Sequence, residues 1–147
     1  MIRTFEGGDQ DEVAALILAG LAEHWGEVDE SLNPDVADLA ASYPDGRTVV
    51  VLDAGRIVGT GTVFPDGHGT VAIKRMSVAP AYRRRGVGRA IVVELVETAR
   101  AWGVGRVVLE TSAHWDDVVE FYQRCGFVLT HHHEGDYGRD AWFALAL

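Results

Sequence analysis

One short segment constrains this chain more than any other. Arg83-Arg84-Arg85-Gly86-Val87-Gly88-Arg89 follows an apolar strand pattern and opens a helical pattern that ends near Trp102. Gly86 and Gly88 permit a tight turn in which main-chain N–H groups converge. The unpaired N–H groups of the following helix point the same way, as does the positive end of its dipole. Because the arginines add charge that does not titrate, we expect this segment, here called the cradle (residues 83–89), to bind a diphosphate.

The spacing of the glycines separates the cradle from two other phosphate motifs. A nucleotide P-loop needs Gly-Lys-Ser/Thr and a dinucleotide fold needs a third glycine, whereas Arg89-Ala90-Ile91 follows here. The pattern Arg83-x-x-Gly86-x-Gly88 resembles the Arg/Gln-x-x-Gly-x-Gly/Ala signature of the GCN5-related N-acetyltransferase (GNAT) family. The alternative is a basic turn before a surface helix. The resemblance implies that the pyrophosphate of acetyl-coenzyme A (acetyl-CoA) is held by Arg83, Arg84, Arg85, Gly86, Val87, Gly88 and Arg89.

A second motif, Phe121-Tyr122-Gln123-Arg124-Cys125-Gly126-Phe127, lies downstream. It resembles the Phe/Leu-Tyr-x-x-x-Gly-Phe ending of the last helix in the GNAT family. The resemblance implies that Tyr122 lies near the sulfur of the cofactor and protonates the departing thiolate. The alternative is a packed tyrosine whose hydroxyl is hydrogen-bonded elsewhere. Cys125 is expected to be a small core residue, because a helix C-terminus disfavours a thiolate.

The order of the patterns, together with the resemblance, predicts an α/β (mixed α+β) GNAT fold in one domain spanning residues 1–147. A central mixed, twisted sheet of six to seven strands would be flanked by about four helices. The strands 71–78 and 106–112 should be parallel, because the cradle helix joins them. Regular alternation would place Lys74 and Met76 on the same face. Gly59 and Gly61 share a face of their strand, which indicates either a bulky neighbour or a bulge.

The strand that precedes the cradle carries the expected carbonyl site. The resemblance implies that this strand splays from its neighbour, and that the free main chain of Met76, Ser77 and Val78 pairs with the pantetheine arm. An N–H group there would polarise the thioester carbonyl. Many relatives with a Lys-Arg-Met strand carry a glutamate general base two residues before the lysine, whereas this chain has Ala72. The base is left open between Glu110, an acidic residue of the stretch 27–30, and a chain of water molecules.

Charge and hydropathy exclude several classes of function. The net charge is −9 and the cradle alone concentrates positive charge, so we expect no nucleic-acid partner. No apolar run approaches the roughly 18 residues of a membrane helix. The first residues lack the apolar segment of a signal peptide, which favours a cytoplasmic protein. Neighbouring strand residues point to opposite faces, so we expect no metal at His131, His132 and His133.

We therefore expect an acetyl-CoA-dependent N-acetyltransferase in which a primary amine of a small molecule attacks the thioester directly. The acidic stretch between Glu23 and Asp38 would attract a cationic amine, or is an ordinary solvated face. A pocket walled by bulky residues such as Trp25, Tyr137 or Trp142 would favour a small acceptor. The alternatives are a protein or peptide N-acetyltransferase and a non-catalytic sensor that binds coenzyme A. In some GNAT relatives the last strand is shared in a homodimer, and the sequence leaves this open.

Overall fold

The computed structural model describes residues 1–135 and 138–147. Its seven strands are β1 (Ile2–Thr4), β2 (Arg47–Asp53), β3 (Arg56–Pro65), β4 (Thr70–Val78), β5 (Arg106–Ser112), β6 (Val128–Gly135) and β7 (Gly138–Ala146). They form one sheet in the order β1-β2-β3-β4-β5-β7-β6. The β4–β5 pair is parallel and the other pairs are antiparallel. The sheet is therefore mixed, as predicted.

Four helices flank this sheet: α1 (Gln10–Trp25), α2 (Leu39–Ser42), α3 (Val87–Ala101) and α4 (Asp116–Arg124). Short 3-10 turns supplement them, including Pro34–Ala37 between α1 and α2 and Pro80–Tyr82 before the cradle. The helix α3 is the crossover that makes β4 and β5 parallel. The predicted fold class is thus confirmed.

Helices cover both faces of the central strands. On one face α3 buries Ile91, Leu95 and Ala99 against the sheet. On the other face α1 buries Val13 and Ile17. Each of these side chains is removed from water, which stabilises the fold by about 25 cal/mol per Å² of apolar surface. No helix among the described residues is both long and apolar enough to cross a membrane.

A bulge interrupts the alternation of β4 next to the predicted carbonyl site. The β3–β4 register shifts by one residue around Arg75, whose φ is +58°. Beyond this point Met76 packs in the core beneath α3, whereas the hydroxyl of Ser77 donates a hydrogen bond to the carbonyl of Leu16 in α1 at 3.2 Å. The prediction that Lys74 and Met76 share a face is wrong, because the extra residue of a bulge exchanges the two faces of a strand.

The two glycines of β3 allow α3 to approach the sheet closely. A Cβ atom at Gly61 would lie 2.6 Å from the Met76 sulfur and 2.8 Å from Cγ2 of Ile91. At Gly59 it would lie 3.0 Å from side-chain atoms of both Ile91 and Val87. The sequence indicated either a bulky neighbour or a bulge at these glycines, and the structure has both. The bulky neighbour is α3, and the bulge of β4 lies opposite Gly61. The close approach brings the first turn of α3, and with it the cradle, to the end of β4.

Candidate active site

The strands β4 and β5 separate beyond their first three residue pairs. They pair at Thr70–Arg106, Val71–Val107 and Ala72–Val108, and no pairing joins the described residues after that point. The strand β4 nevertheless stays paired with β3 up to Val78, and β5 stays paired with β7 up to Ser112. Each strand therefore has a free edge facing the β4–β5 gap, as the resemblance to the GNAT family implies.

Val78 directs its main chain into this gap. The N–H group of the next residue, Ala79, donates to the carbonyl of Val58 in β3 at 2.8 Å. Because N–H groups alternate between the two sides of a strand, the N–H group of Val78 points the other way, toward β5. Its carbonyl accepts a hydrogen bond from Nε of Arg83 at 3.1 Å. A main-chain donor thus faces the gap at Val78, and its role toward a thioester stays a prediction.

The cradle adopts the backbone conformation that its glycines suggest. Gly86 precedes the first turn of α3 with a φ of +81°, and Arg84 has a φ of +60°. Left-handed residues of this kind turn successive N–H groups toward a common concave side, where they bind anions. A Cβ atom at Gly86 would meet no other atom within 4 Å, so the outer side of the turn is open. This geometry fits a diphosphate at the N-terminus of α3.

The arginines of the cradle are not equivalent. Arg83 donates to both carboxylate oxygens of Glu23, at 2.6 and 2.8 Å. The guanidinium of Arg85 lies 5.5 Å from the centre of the Tyr82 ring, and Arg84 and Arg85 are both exposed. Arg84 and Arg85 are therefore available to an incoming anion, whereas the Arg83 side chain already holds a carboxylate. Its role as a cofactor ligand stays a prediction.

The last turn of α1 lies over both sides of the gap. Glu23 binds Arg83, which follows β4, at the distances given above. His24 and Trp25 contact Trp115, which follows β5, with ring centroids 4.1 and 5.3 Å apart. One helical turn therefore connects the segments that leave the two separated strands.

The helix α4 brings Tyr122 into contact with the core beside the cradle. Tyr122 is buried between the rings of Phe121 and Phe127, whose centroids lie 5.1 and 5.9 Å away. A Cβ atom at Gly88 in the cradle would lie 3.1 Å from the Phe121 ring. Burial raises the pKa of Tyr122, and the Cys125 thiol adds a smaller effect in the same direction. The phenol therefore keeps its proton at neutral pH, and no described residue forms a hydrogen bond with it.

Glu110 is an acidic side chain on the face of β5 opposite the α3-side core. It lies across from Trp142 on β7, and its neighbours on these strands include Asp140. The side chain is exposed, yet the surrounding surface removes enough water to raise the pKa of Glu110. The charge of Asp140 raises this pKa further, whereas Lys74 and His133 lower it. A carboxylate with a raised pKa is a better proton acceptor than an ordinary one.

The acidic stretch after α1 offers a weaker candidate for the base. Asp29 accepts hydrogen bonds from the main chain and hydroxyl of Ser31, at 2.9 and 2.6 Å. These bonds lower the pKa of Asp29 and make it a poor proton acceptor. Glu27 and Glu30 are exposed. Glu110 is the candidate whose surroundings favour proton abstraction.

The structure brings together most of the residues that the sequence singles out. Met76, Val78, Val87 of the cradle and Tyr122 belong to the core on the α3 side, and Glu110 lies on the opposite face of β5. Two ion pairs, Glu23–Arg83 and Arg75–Asp35, are not predicted from the sequence, because each joins residues distant in sequence. Tyr137 lies outside the described residues. His131, one of the histidines considered as metal ligands, stacks on Trp142 at 5.7 Å.

Comparisons with known proteins agree with this geometry. A family model described as the acetyltransferase (GNAT) family matches residues 14–127. The IAA acetyltransferase of Azospirillum brasilense is 31% identical over 120 residues, which cover 80% of this chain and 78% of the relative. The chain spans about half the length of the vertebrate N-acetyltransferases that it also matches.

Solved structures share the fold at low sequence identity. An acetyltransferase of the GNAT family from Staphylococcus aureus matches with a TM-score of 0.89 and 18% identity, covering 100% of this chain and 98% of the other. An aminoglycoside 6′-N-acetyltransferase in complex with coenzyme A matches with a TM-score of 0.78 and 18% identity, covering 99% and 96%. With the family match and the 31% identical relative, these findings show that the chain belongs to the GNAT family and is an acetyl-CoA-dependent N-acetyltransferase.

Proposed function

We propose that the protein transfers the acetyl group of acetyl-CoA to the primary amine of a small, cationic molecule, by direct attack in a ternary complex. The observation that carries this proposal is the β4–β5 gap. It leaves the β5-facing edge of β4 at Met76 to Val78 unpaired beside the cradle. A thioester held there would have its carbonyl next to main-chain donors, and its diphosphate would reach the N-terminus of α3.

Each step of the reaction has a candidate group in this chain. The amine nitrogen forms a bond to the acetyl carbon while the bond from that carbon to sulfur breaks. The N–H group of Val78 stabilises the developing oxyanion. Glu110, directly or through water, accepts the proton that the amine loses. Tyr122 gives its proton to the departing thiolate.

Burial of Tyr122 suits this last step. Removal from water raises the pKa of the phenol, and it raises the basicity of a thiolate in the same surroundings. The proton is therefore present before the reaction and has a basic acceptor when the carbon–sulfur bond breaks. No covalent enzyme intermediate is proposed, since the free thiol Cys125 has its pKa raised by burial and is a poor nucleophile at neutral pH.

The charge and shape of the surface around Glu110 support a cationic acceptor. Glu110 and Asp140 are acidic neighbours on β5 and β7. Trp142 lies directly across from Glu110, two residues after Asp140 on the same face of β7. Carboxylates beside an indole ring attract an ammonium group both by charge and by its interaction with the ring. By contrast, two acids of the stretch first considered for this role, Glu23 and Asp35, are already paired with arginines.

The second candidate acceptor is a protein or peptide amine. It is favoured by the exposure of Glu110, because an open surface admits a chain as well as a small molecule. A non-catalytic sensor is the weaker alternative, because it gives no role to a buried, protonated Tyr122 or to the raised pKa of Glu110.

The test is the release of free thiol from acetyl-CoA with a panel of monoamines, polyamines, amino acids and short peptides. We expect the highest kcat/KM with small polyamines, and we expect the mass of the amine product to increase by one acetyl group less the hydrogen that it replaces. Preference for peptides would replace the small acceptor with a protein acceptor. If no acceptor causes release of free thiol, while calorimetry shows that acetyl-CoA binds, the result would support the non-catalytic sensor.

Two further parts of the proposal concern the protein in the cell. We propose a cytoplasmic location, which cell fractionation tests directly. We also propose that the exposed edge strand β6 joins two copies of the chain, since Val128 on this strand is 67% exposed. Sedimentation of the purified protein should then give the mass of a dimer, and a monomer at micromolar concentration would contradict this.

A further inference from the structure

A partly buried ion pair joins β4 to the segment that follows α1. The guanidinium of Arg75 donates from Nε and Nη2 to the two carboxylate oxygens of Asp35, at 2.8 and 2.6 Å. The hydroxyl of Tyr43 donates to the same carboxylate at 2.5 Å. The Arg75 and Asp35 side chains are only 18% and 20% exposed. Such a bidentate, partly desolvated pair fixes geometry better than a surface pair does.

One end of this pair adjoins the expected thioester site, and the other lies in the segment between α1 and α2. Arg75 occupies the bulge of β4 and is followed directly by Met76, the first residue of the segment expected to hold the thioester. Asp35 lies in the 3-10 turn Pro34–Ala37, between the end of α1 and α2. That turn is anchored next to Asp35 by Val36, which is buried and whose carbonyl accepts a hydrogen bond from Gln10 at 2.8 Å.

The backbone of Arg75 is strained. Its φ of +58° lies in the left-handed region, which is unfavourable for a residue with a side chain. Glycine adopts this conformation without that cost, yet the position holds arginine. The two hydrogen bonds to Asp35 hold the side chain of this strained residue.

We propose that Arg75 is a positioning residue, which through Asp35 and Tyr43 ties the Met76–Val78 main chain to the turn Pro34–Ala37 and so holds that main chain in place. The expected effect on the reaction rests on the proposed function, whereas the link between the two segments does not. Loss of the pair would let the main chain that is expected to hold the thioester carbonyl shift out of place. A misplacement of about 1 Å can lower the rate by about a hundredfold.

Glycine and lysine variants separate the backbone from the guanidinium. Arg75→Gly keeps the left-handed backbone available but removes the guanidinium, and Arg75→Lys keeps a cation without the bidentate geometry. Asp35→Asn removes the charge of the partner. Arg3→Gly is a matched control, because Arg3, which lies on the edge strand β1, makes a comparable bidentate pair with Asp9.

We expect kcat to fall at least about tenfold in both Arg75 variants and in Asp35→Asn, with the Kd of acetyl-CoA changed by less than about twofold. Combining Arg75→Gly with Asp35→Asn should cost little more than either change alone, because the two residues act as one unit. The Arg3 control should keep its kcat. The temperature can be lowered until the Arg75 variants are fully folded. If their kcat then equals that of the unchanged protein, the role of Arg75 is merely structural and the proposal is overturned.

A second measurement does not depend on any acceptor. Hydrogen exchange should become faster in the amides of residues 76–78 and 34–37 together, in both Arg75→Gly and Asp35→Asn, and should not change there in the Arg3 control. Faster exchange in only one of the two segments would overturn the link. If the amine panel fails while both segments respond together, the proposed acceptor is wrong and the positioning role stands.

Discussion

Replacing Glu23 with glutamine tests whether the Arg83 side chain is shared between α1 and the cofactor. Arg83 donates to both oxygens of Glu23, and the hydrogen bond from Arg83 lowers the pKa of that carboxyl, so the pair is charged at neutral pH. A diphosphate in the cradle would compete for the same guanidinium. Glu23→Gln should therefore release Arg83 and tighten the binding of acetyl-CoA.

The exposure of the pair sets the size of the effect. The Arg83 and Glu23 side chains are 43% and 37% exposed, so water screens much of their attraction. Exposed ion pairs contribute about 0.2–1 kcal/mol, which corresponds to a decrease in Kd of about 1.4- to 5-fold. The gain should shrink between about 0.05 and 0.5 M salt, because the Debye length shortens over this range.

Isothermal titration calorimetry with acetyl-CoA measures this change directly. Glu97→Gln serves as a control for the loss of one negative charge, since Glu97 forms an exposed pair with Arg100 on α3. In an Arg83→Gln background the Glu23 substitution should have no effect on Kd. An unchanged or higher Kd for Glu23→Gln at low salt would refute the reasoning and leave Arg83 as a structural tie between α1 and β4.

Two further predictions concern stability and pH. Gly61→Ala should lower the free energy of unfolding by about 1–3 kcal/mol, because its Cβ would overlap Met76 and Ile91. Urea unfolding measures this change. The control Gly7→Ala should be nearly neutral, because a Cβ atom at Gly7 would meet no other atom within 4 Å. The acid limb of the kcat/KM profile should lie above the pKa of an ordinary glutamate and disappear in Glu110→Gln, because burial and Asp140 raise the pKa of Glu110 and only its deprotonated form accepts a proton. The raised pKa also means that the folded state loses stability as pH rises through it, so Glu110→Gln should not destabilise the protein at neutral pH.

Local patterns in the sequence predict the fold and the cradle. The cradle motif, the crossover helix and the Tyr122 motif each occupy a few consecutive residues, so their spacing alone indicates strand, turn and helix. The separation of β4 from β5 is predicted only by the resemblance to the GNAT family, and not by the local pattern of residues. Gly59 and Gly61 also indicated a close neighbour, which proves to be α3.

The sequence does not predict the ion pairs that join residues distant along the chain. The bulge at Arg75 is accompanied by an ion pair with Asp35, forty residues earlier, and nothing in the local alternation of β4 indicates either. The sequence likewise does not indicate the Glu23–Arg83 pair. Taken singly, Glu23 belongs to an acidic surface stretch and Arg83 to an anion-binding motif. A non-glycine residue at positive φ, such as Arg75, gives no signal in sequence until its supporting contact is known.

The measurement that tests the central claim most directly compares Tyr122→Phe with the unchanged protein under saturating acetyl-CoA and the best amine of the panel. Phenylalanine keeps the ring packing between Phe121 and Phe127 and removes only the hydroxyl. We predict that kcat falls by about 10²-fold or more, as expected for loss of a general acid, while the Kd of acetyl-CoA changes by less than about twofold. Tyr82→Phe, which alters a second tyrosine beside the cradle, should leave kcat unchanged. An unaltered kcat in Tyr122→Phe would contradict the assignment of the buried phenol as the proton donor to sulfur.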